Sequence, residues 1–343
     1  MPLVSIIVPC YNEQDTIRLL LEAICRQTFL TSELEVVIAD GRSTDRTREE
    51  IAAFQREHPE LLVRVVDNPR RNIPAGLNRA LAAAQGKYVV RLDAHSAPDP
   101  DYIQHCVADL EAGRGENVGG VWDIRPRGSG VVQRAIAIAA AHPLGVGDAL
   151  YRYTTKPGYV DTIPFGAFRR DVFDRLGAFD ESLLTNEDYE FNARLRRQGG
   201  RVWLNPRIRS TYFARPNLGA LARQYARYGY WKLRMLARYP QTLRWRQALP
   251  PAFIFSLVGL LLVGLVWPAA LGLLIAEILV YFLILMAGSA RAALRERDWR
   301  LALLVPAAMA TMHLSWGAGL WWSLISAGLQ FVKRKIFINT GLS

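Results

Sequence analysis

The segment Leu3-Val4-Ser5-Ile6-Ile7-Val8-Pro9-Cys10-Tyr11-Asn12-Glu13 decides the fold. Its first half is a short β-branched run with no polar face. Such a run reads as a strand buried on both sides, as in parallel sheets. It stops abruptly in polar residues. The same grammar then repeats. Thr16 to Arg26 has helical apolar spacing through Ile17, Leu20, Leu21 and Ile24, with Asp15 as candidate N-cap. Val36-Val37-Ile38-Ala39 reads as a second strand, and a helix follows Thr44. Leu62 to Val66 is a third strand, Ala75 to Ala84 a helix, and Tyr88 to Leu92 a fourth strand. This alternation predicts an α/β domain with an open, mostly parallel sheet.

Polar residues gather where such a sheet binds its ligand, beyond the carboxyl ends of the strands. Strand one ends in Pro9 to Glu13, strand two in Asp40-Gly41-Arg42-Ser43-Thr44-Asp45. Strand three ends in Asp67 to Asn72, strand four in Asp93-Ala94-His95. Taken singly, Asp45 and Asn72 also fit ordinary turns or helix caps; the four ends together predict a site for a polar, phosphorylated ligand. The chain has neither a GxGxxG fingerprint nor a P-loop to hold phosphates. A divalent cation on Asp93, Mn²⁺ or Mg²⁺, is the simple substitute. His95, two residues on, is expected on the same side of an extended strand end. It is a candidate second ligand or phosphate contact.

The 343 residues carry a net charge of +11 and are 51% hydrophobic, which excludes a disordered chain. Three cysteines, Cys10, Cys25 and Cys106, exclude a disulfide scaffold. The charge is local: Phe191 to Leu249 holds 14 Lys/Arg and no Asp or Glu, leaving the rest at net −3. Arg223, Arg227, Arg234 and Arg238 fall within about 60° on a continuous helix, although Gly229 could break it. Tyr225, Tyr228, Tyr230, Trp231 and Tyr239 interleave with them. Basic and aromatic residues together suit a helix at lipid headgroups. Nucleic acid could be met by the same composition, but apolar runs directly downstream favour the membrane.

Those runs cover Pro250 to Val266, Ala269 to Gly288 and Leu301 to Val332, and the first two approach the ~20 residues of a bilayer span. The third is interrupted by Pro306, Gly317 and Gly319 and reads as one tilted helix or a broken pair. Glu277 and His313 lie inside these runs and receive no role. The organisation expected is a globular domain over 1–215, interfacial helices over 216–248 and a transmembrane region over 249–343. Its spans are expected at 250–266, 269–288 and 301–324. The basic stripe and Arg291, Arg295, Arg297 and Arg300 predict a cytoplasmic domain on a multi-pass inner-membrane protein without a signal peptide. Lys333-Arg334-Lys335 favour a cytoplasmic C-terminus, against three full crossings.

The combination VSIIVPCYNE, ADGRSTDRT, GLNRAL, RLDAH, NEDYEF and QYARY, followed by apolar helices, resembles glycosyltransferase family 2. The likeness is to membrane-bound exopolysaccharide glucosyltransferases of the succinoglycan type, and it covers residues 3 to about 235 by motif. It implies a GT-A fold (a Rossmann-like sheet domain), a nucleotide-diphosphate sugar and a divalent metal. It also implies that Pro9, Tyr11 and Glu13 line the nucleoside pocket and that Asp40 accepts a hydrogen bond from the base. Asn72 joins this donor-binding set. Asp93 and His95 stand where the family has Asp-x-Asp, with His replacing the second Asp. Asp188 matches the catalytic base. Gln224 and Arg227 match a motif that helps hold the donor diphosphate and acceptor, with Tyr228 replacing Trp.

Elementary chemistry agrees with these assignments. A nucleoside diphosphate leaves only when metal or cations meet its charge, and the acceptor hydroxyl needs a general base within hydrogen-bond reach. Asp188 precedes a helical pattern, so it can sit at a helix N-terminus, where plain N-terminal helix charging would also place Glu187 and Asp188. Phe165-Gly166-Ala167 is an expected acceptor-facing turn, with Glu187 beside it. The predicted reaction is inverting transfer of a sugar, UDP-glucose first among donors, to a polyprenyl-diphosphate-linked saccharide. The alternative is transfer directly to a polyprenyl phosphate, as in dolichol-phosphate-mannose-type synthases.

Overall fold

The computed structural model describes residues 1–329 with their side chains and the backbone of the last helix to Thr340; the side chains of the Lys333-Arg334-Lys335 cluster, and with them its vote on the C-terminus, lie outside what is described. In chain order the elements begin β1 (Val4–Cys10), α1 (Ile17–Cys25), β2 (Leu34–Asp40), α2 (Thr47–Glu57), β3 (Leu62–Asp67), α3 (Ile73–Ala83) and β4 (Tyr88–Arg91). There follow β5 (Ala97–Pro98), α4 (Tyr102–Glu111), β6 (Asn117–Arg125), α5 (Val131–Ala140), α6 (Pro143–Val146), β7 (Gly158–Tyr159) and β8 (Ala167–Arg169). The chain ends with α7 (Asp171–Leu176), α8 (Glu187–Arg197), β9 (Val202–Phe213), α9 (Leu218–Leu236), α10 (Trp245–Gly264), α11 (Ala269–Glu296) and α12 (Leu301–Thr340). They form two compact units. One comprises Met1–Asp123 and Ala149–Tyr212, the other Ile124–Asp148 and Phe213–Ser343.

The first unit is built on a sheet of order β3-β2-β1-β4-β8-β6-β9-β5, with β7 added on β9. The predicted parallel set is there: β2 pairs with β1 and β3, and β1 with β4, all parallel. Beyond β4 the sheet turns antiparallel through β8, so it is mixed. The apolar runs of β1 and β2 are buried on both faces because helices cover both. Ile6, Val8, Val36 and Ile38 pack with Leu20, Leu21 and Ile24 of α1 and Phe54 of α2. Ile7, Val37 and Ala39 pack with Leu77, Ala80 and Leu81 of α3 and Phe191 of α8. The register sets Cys10 opposite Asp40 and Asp40 opposite Asp67, so three strands end in line. At α1 the N-cap is Thr16 rather than Asp15, and Asp15 does not cap it.

The second unit packs α5, α9 and α12 around Ala135, Ile136, Leu221, Val305, Met309 and Met312. Helix α9 runs unbroken through Gly229. A Cβ on Gly229 would lie 2.0 Å from the Trp316 carbonyl oxygen, and one on Gly319 2.0 Å from that of Ala226. These glycines let two backbones touch; they do not end helices. Gly317 likewise faces the Pro250 carbonyl, and α12 passes Pro306 as one continuous helix. The predicted basic face is real: Arg223, Arg227, Arg234 and Arg238 are all exposed, although Arg238 lies just past the helix end. Among the described residues, three helices are long and apolar enough to cross a membrane: Trp245–Gly264, Ala269–Glu296 and Leu301–Leu329. Their outward Phe255, Leu262, Val280 and Leu283 form a surface that water would penalise. Glu277 accepts from Ser256 (2.9 Å), and His313 bonds Tyr281 (2.9 Å), so both polar intrusions are partnered.

Candidate active site

The site lies within the first unit, at the carboxyl ends of β1, β2 and β4. Hydrogen bonds lock the loops leaving β1 and β2 to one another. Asn12 N–H donates to Ser43 Oγ (2.8 Å), and Thr44 N–H returns a bond to Asn12 Oδ1 (2.9 Å). Asp40 is fully buried, and the Ser43 hydroxyl and Arg48 Nε each donate to it at 2.5 Å. The Ser43 N–H also donates to Asp40 Oδ2 (3.2 Å); of the about four acceptor positions of a carboxylate, these three donors orient Asp40 and leave about one. Tyr11 is 43% exposed at the same edge, with the Arg71 guanidinium 6.0 Å from its ring centre. Pro9 is the penultimate residue of β1, paired with Ala39.

Asn72 has local work. Its side chain caps α3 by accepting from Ala75 N–H (2.9 Å), and its carbonyl accepts from Asn68 Nδ2 (2.9 Å). Of the polar residues ending β3, the structure thus gives this one a cap.

Glu13 joins the first loop to the fourth. The Thr16 hydroxyl donates to its carboxylate, and His95 Nδ1 lies 3.0 Å from Glu13 Oε1. The sequence reading placed His95 on an extended strand end. Instead β4 stops at Arg91, and Ser96 N–H donates to the Asp93 carbonyl (2.9 Å), closing a turn. The Ser96 hydroxyl donates to the same oxygen (2.7 Å). The His95 ring is therefore aimed by this turn and by Glu13. Engagement of Nδ1 by a carboxylate makes Nε2 the nitrogen a metal would meet. Asp93 and His95 are both partly open to solvent. One carboxylate and one imidazole fit Mn²⁺ better than Mg²⁺.

Arg91 links Asp93 to Glu187 at the start of α8, and the motif reading missed it. Its side chain is 5% exposed. Nη2 donates to Glu187 Oε1 (2.8 Å) and reaches Asp93 Oδ1 at 3.4 Å. Nε and Nη1 are buried without a hydrogen-bond partner. Burial disfavours its charge, but Asp93, Glu187 and Asp188 more than offset this and keep the guanidinium protonated. A signal was available: an arginine inside the apolar run Tyr88 to Leu92 must find a counter-charge.

Glu187 and Asp188 open α8 after Asn186, which adopts left-handed backbone at φ 70°. Glu187 is buried, Asp188 partly exposed. Burial pushes Glu187 up to about 7, opposed by Arg91 and reinforced by Asp188. Burial also raises Asp188, with Arg91 opposing and the Tyr189 N–H bond favouring the charged form. The turn Phe165-Gly166 is strained, with φ of 63° and 109°. The Gly166 carbonyl accepts from Arg91 N–H (2.9 Å), and a Cβ there would meet Asn117 Oδ1 at 2.6 Å. Ala167 starts β8. Asn12, Arg42, Arg71, Phe165 and Asn186 all have positive φ, and all stand in loops of this unit leaving the sheet or entering α8. Strain of this kind concentrates where function constrains the backbone.

The structure thus pairs Glu13 with His95 and joins Asp93 and Glu187 through Arg91, with the charge of Asp188 also acting on Arg91. Asp40 and Tyr11 stand on the neighbouring strand ends. Gln224 and Arg227 belong to α9 of the second unit. There Gln224 accepts from Arg215 Nε (3.1 Å) and donates to the Tyr228 hydroxyl (2.8 Å), and Arg227 is exposed.

Comparison with known proteins points the same way. The profile described as "Glycosyl transferase family 2" matches residues 5–177. The succinoglycan biosynthesis protein ExoA of Rhizobium meliloti strain 1021 is 33% identical over 322 residues, 93% of this chain and 94% of that one. A Methanococcus voltae protein, dolichyl N-acetyl-alpha-D-glucosaminyl phosphate 3-beta-D-2,3-diacetamido-2,3-dideoxy-beta-D-glucuronosyltransferase, is 24% identical over 335 residues, 96% of this chain and all of that one. Among solved structures, a mannosyltransferase from Pyrobaculum calidifontis in complex with GDP-Man and Mn²⁺ superposes with a TM-score of 0.61. It is 26% identical, covering 94% of this chain and 87% of that one.

Proposed function

This chain belongs to glycosyl transferase family 2, and from that premise we propose that it moves a sugar from a nucleotide-diphosphate donor to a lipid-linked saccharide during exopolysaccharide assembly. UDP-glucose is the first donor to test. The observation that carries this reading is the buried Arg91, which holds Asp93 and Glu187 and so ties one end of the site to α8, where Asp188 sits. The relative named for succinoglycan biosynthesis supports a polysaccharide product, and the one named for a dolichyl phosphate sugar supports a lipid-linked acceptor. The mannosyltransferase bound to GDP-Man and Mn²⁺ supports a nucleotide sugar and a divalent ion.

Each residue then has a task. Asp40, Tyr11 and Pro9 bind the nucleoside, Asp40 by accepting from the base. Asp93 and His95 hold the divalent ion, and Glu13 orients the imidazole. The bound ion supplies positive charge to the leaving diphosphate. Asp188 accepts the acceptor hydroxyl proton; its raised affinity for protons suits that task. Attack from the face opposite the leaving group inverts the anomeric centre. Gly166 keeps the acceptor-side turn in a conformation no other residue adopts cheaply. Helices α10 to α12 anchor the chain as a multi-pass membrane protein with the catalytic unit cytoplasmic.

The test is turnover by the full-length protein in detergent, with UDP-glucose, Mn²⁺ and a lipid extract, followed by analysis of the lipid product. A glycan extended by one β-linked residue on a lipid diphosphate is expected. A single sugar on a lipid monophosphate would refute the acceptor assignment in favour of the polyprenyl-phosphate reading.

A further inference from the structure

A second cluster of ligand-type side chains lies away from the donor site. Cys25 closes α1, His58 follows the last residue of α2 as its C-cap, and Glu60 sits in the turn beyond. One ligand atom from each lies within 4.8 Å of the other two. Because α1 and α2 run back from the carboxyl ends of β1 and β2, their C-termini reach the opposite sheet edge from Asp40 and Asp93. This cluster cannot serve the donor. We propose that Cys25, His58 and Glu60 form a zinc-binding site of three protein ligands, with water in the fourth position.

Several features support it. Zinc bound by one sulfur at about 2.3 Å and by nitrogen and oxygen at about 2.0–2.1 Å keeps tetrahedral ligand atoms about 3.4–3.7 Å apart. The cluster therefore closes by up to about 1.4 Å, a side-chain adjustment. The His58 ring is already held. It stacks on Phe54 at 4.4 Å, and its Nδ1 lies 3.0 Å from Glu60 Oε1. Leu61 N–H donates to the His58 carbonyl (3.3 Å), which fixes the turn carrying Glu60. Two helix C-termini meet here, and their carbonyl ends favour a cation. One thiolate and one carboxylate match the charge of a divalent ion. The thiolate selects zinc over Mg²⁺ and Mn²⁺. On binding, the Cys25 sulfur–metal bond forms as the thiol proton passes to bulk water. All three side chains are partly exposed, so an ion can enter.

Co²⁺ titration of the full-length protein in detergent tests this, because a thiolate ligand adds a charge-transfer absorption that an oxygen–imidazole site lacks. The band should appear, saturate at one equivalent, and vanish when Zn²⁺ is added. Cys25→Ser, nearly isosteric, should abolish it, whereas Asp93→Ala should leave it intact. Glu60→Gln and His58→Ala, which keep the thiol, should weaken Co²⁺ at this site by more than the about 10–100-fold that loss of an outer partner costs. Absence of the band in the wild-type protein would overturn the proposal. So would its survival in Cys25→Ser, or unchanged affinity in both Glu60→Gln and His58→Ala.

Discussion

Replacing Arg91 by Met should destabilise the first unit in a pH-dependent way. The Arg91–Glu187 contact is 2.8 Å, between side chains 5% and 6% exposed. Removing the guanidinium strands a buried carboxylate, which costs about 3–5 kcal/mol. Glu187 can escape part of that cost by taking a proton. Its pKa is already pushed up to about 7 by burial despite Arg91, against about 4.3 in an unfolded chain. A carboxyl group raised in this way contributes stability that is complete below the unfolded value and is lost as pH rises through the folded one. Without Arg91 the folded value moves higher still. The wild-type protein has then completed its loss near pH 7, while the variant continues to lose stability above it. The difference should be small near pH 6 and approach about 3 kcal/mol near pH 9. At about 2–4 °C per kcal/mol for a unit of this size, that is a gap of about 6–12 °C. Thermal unfolding in detergent, followed by tryptophan fluorescence at both pH values, measures it. Arg91→Met with Glu187→Leu should recover most of the loss, since removing both partners leaves no buried charge. A gap independent of pH, or a double variant as unstable as the two single losses added, would refute the reasoning.

Other perturbations separate the remaining roles. Asp188→Asn should lower transfer by about 10²–10⁴-fold with UDP affinity unchanged by calorimetry; near-wild-type turnover would remove Asp188 as the base. Asp93→Ala should abolish metal-dependent turnover, and His95→Asp should shift the ion preference from Mn²⁺ toward Mg²⁺. An unaltered Mn²⁺/Mg²⁺ rate ratio in His95→Asp would show that His95 is not a ligand. Gly229→Ala should cost about 1–3 kcal/mol, because its Cβ would stand 2.0 Å from the Trp316 carbonyl. Unfolding of the detergent-solubilised chain checks this, and no shift would mean that α9 and α12 do not touch there.

Much of the first four strands could be read directly, because Val4 to Val8 and Val36 to Ala39 are apolar on both faces and only a doubly covered parallel sheet buries them so. The second half of the sheet was not readable in this way. Strands β5, β7 and β8 are two or three residues long, too short for a hydrophobic period to emerge. The continuity expected of the helix across Gly229 holds, and that glycine is also a contact point. Local pattern misjudged other backbone detail. His95 looked like part of a strand and sits in a turn closed by Ser96.

The order of polar strand ends, the charge stripe and the apolar helices are determined by the sequence alone, since each depends on residues close together in the chain. Arg91 and Glu187 are 96 positions apart, and nothing local in either segment names the other. Only the tertiary structure could bring a buried cation and a buried carboxylate within 2.8 Å, because desolvation makes each of them tolerable only beside the other. The same holds for Cys25 and His58, which end separate helices and meet because both helices return to one edge of the sheet.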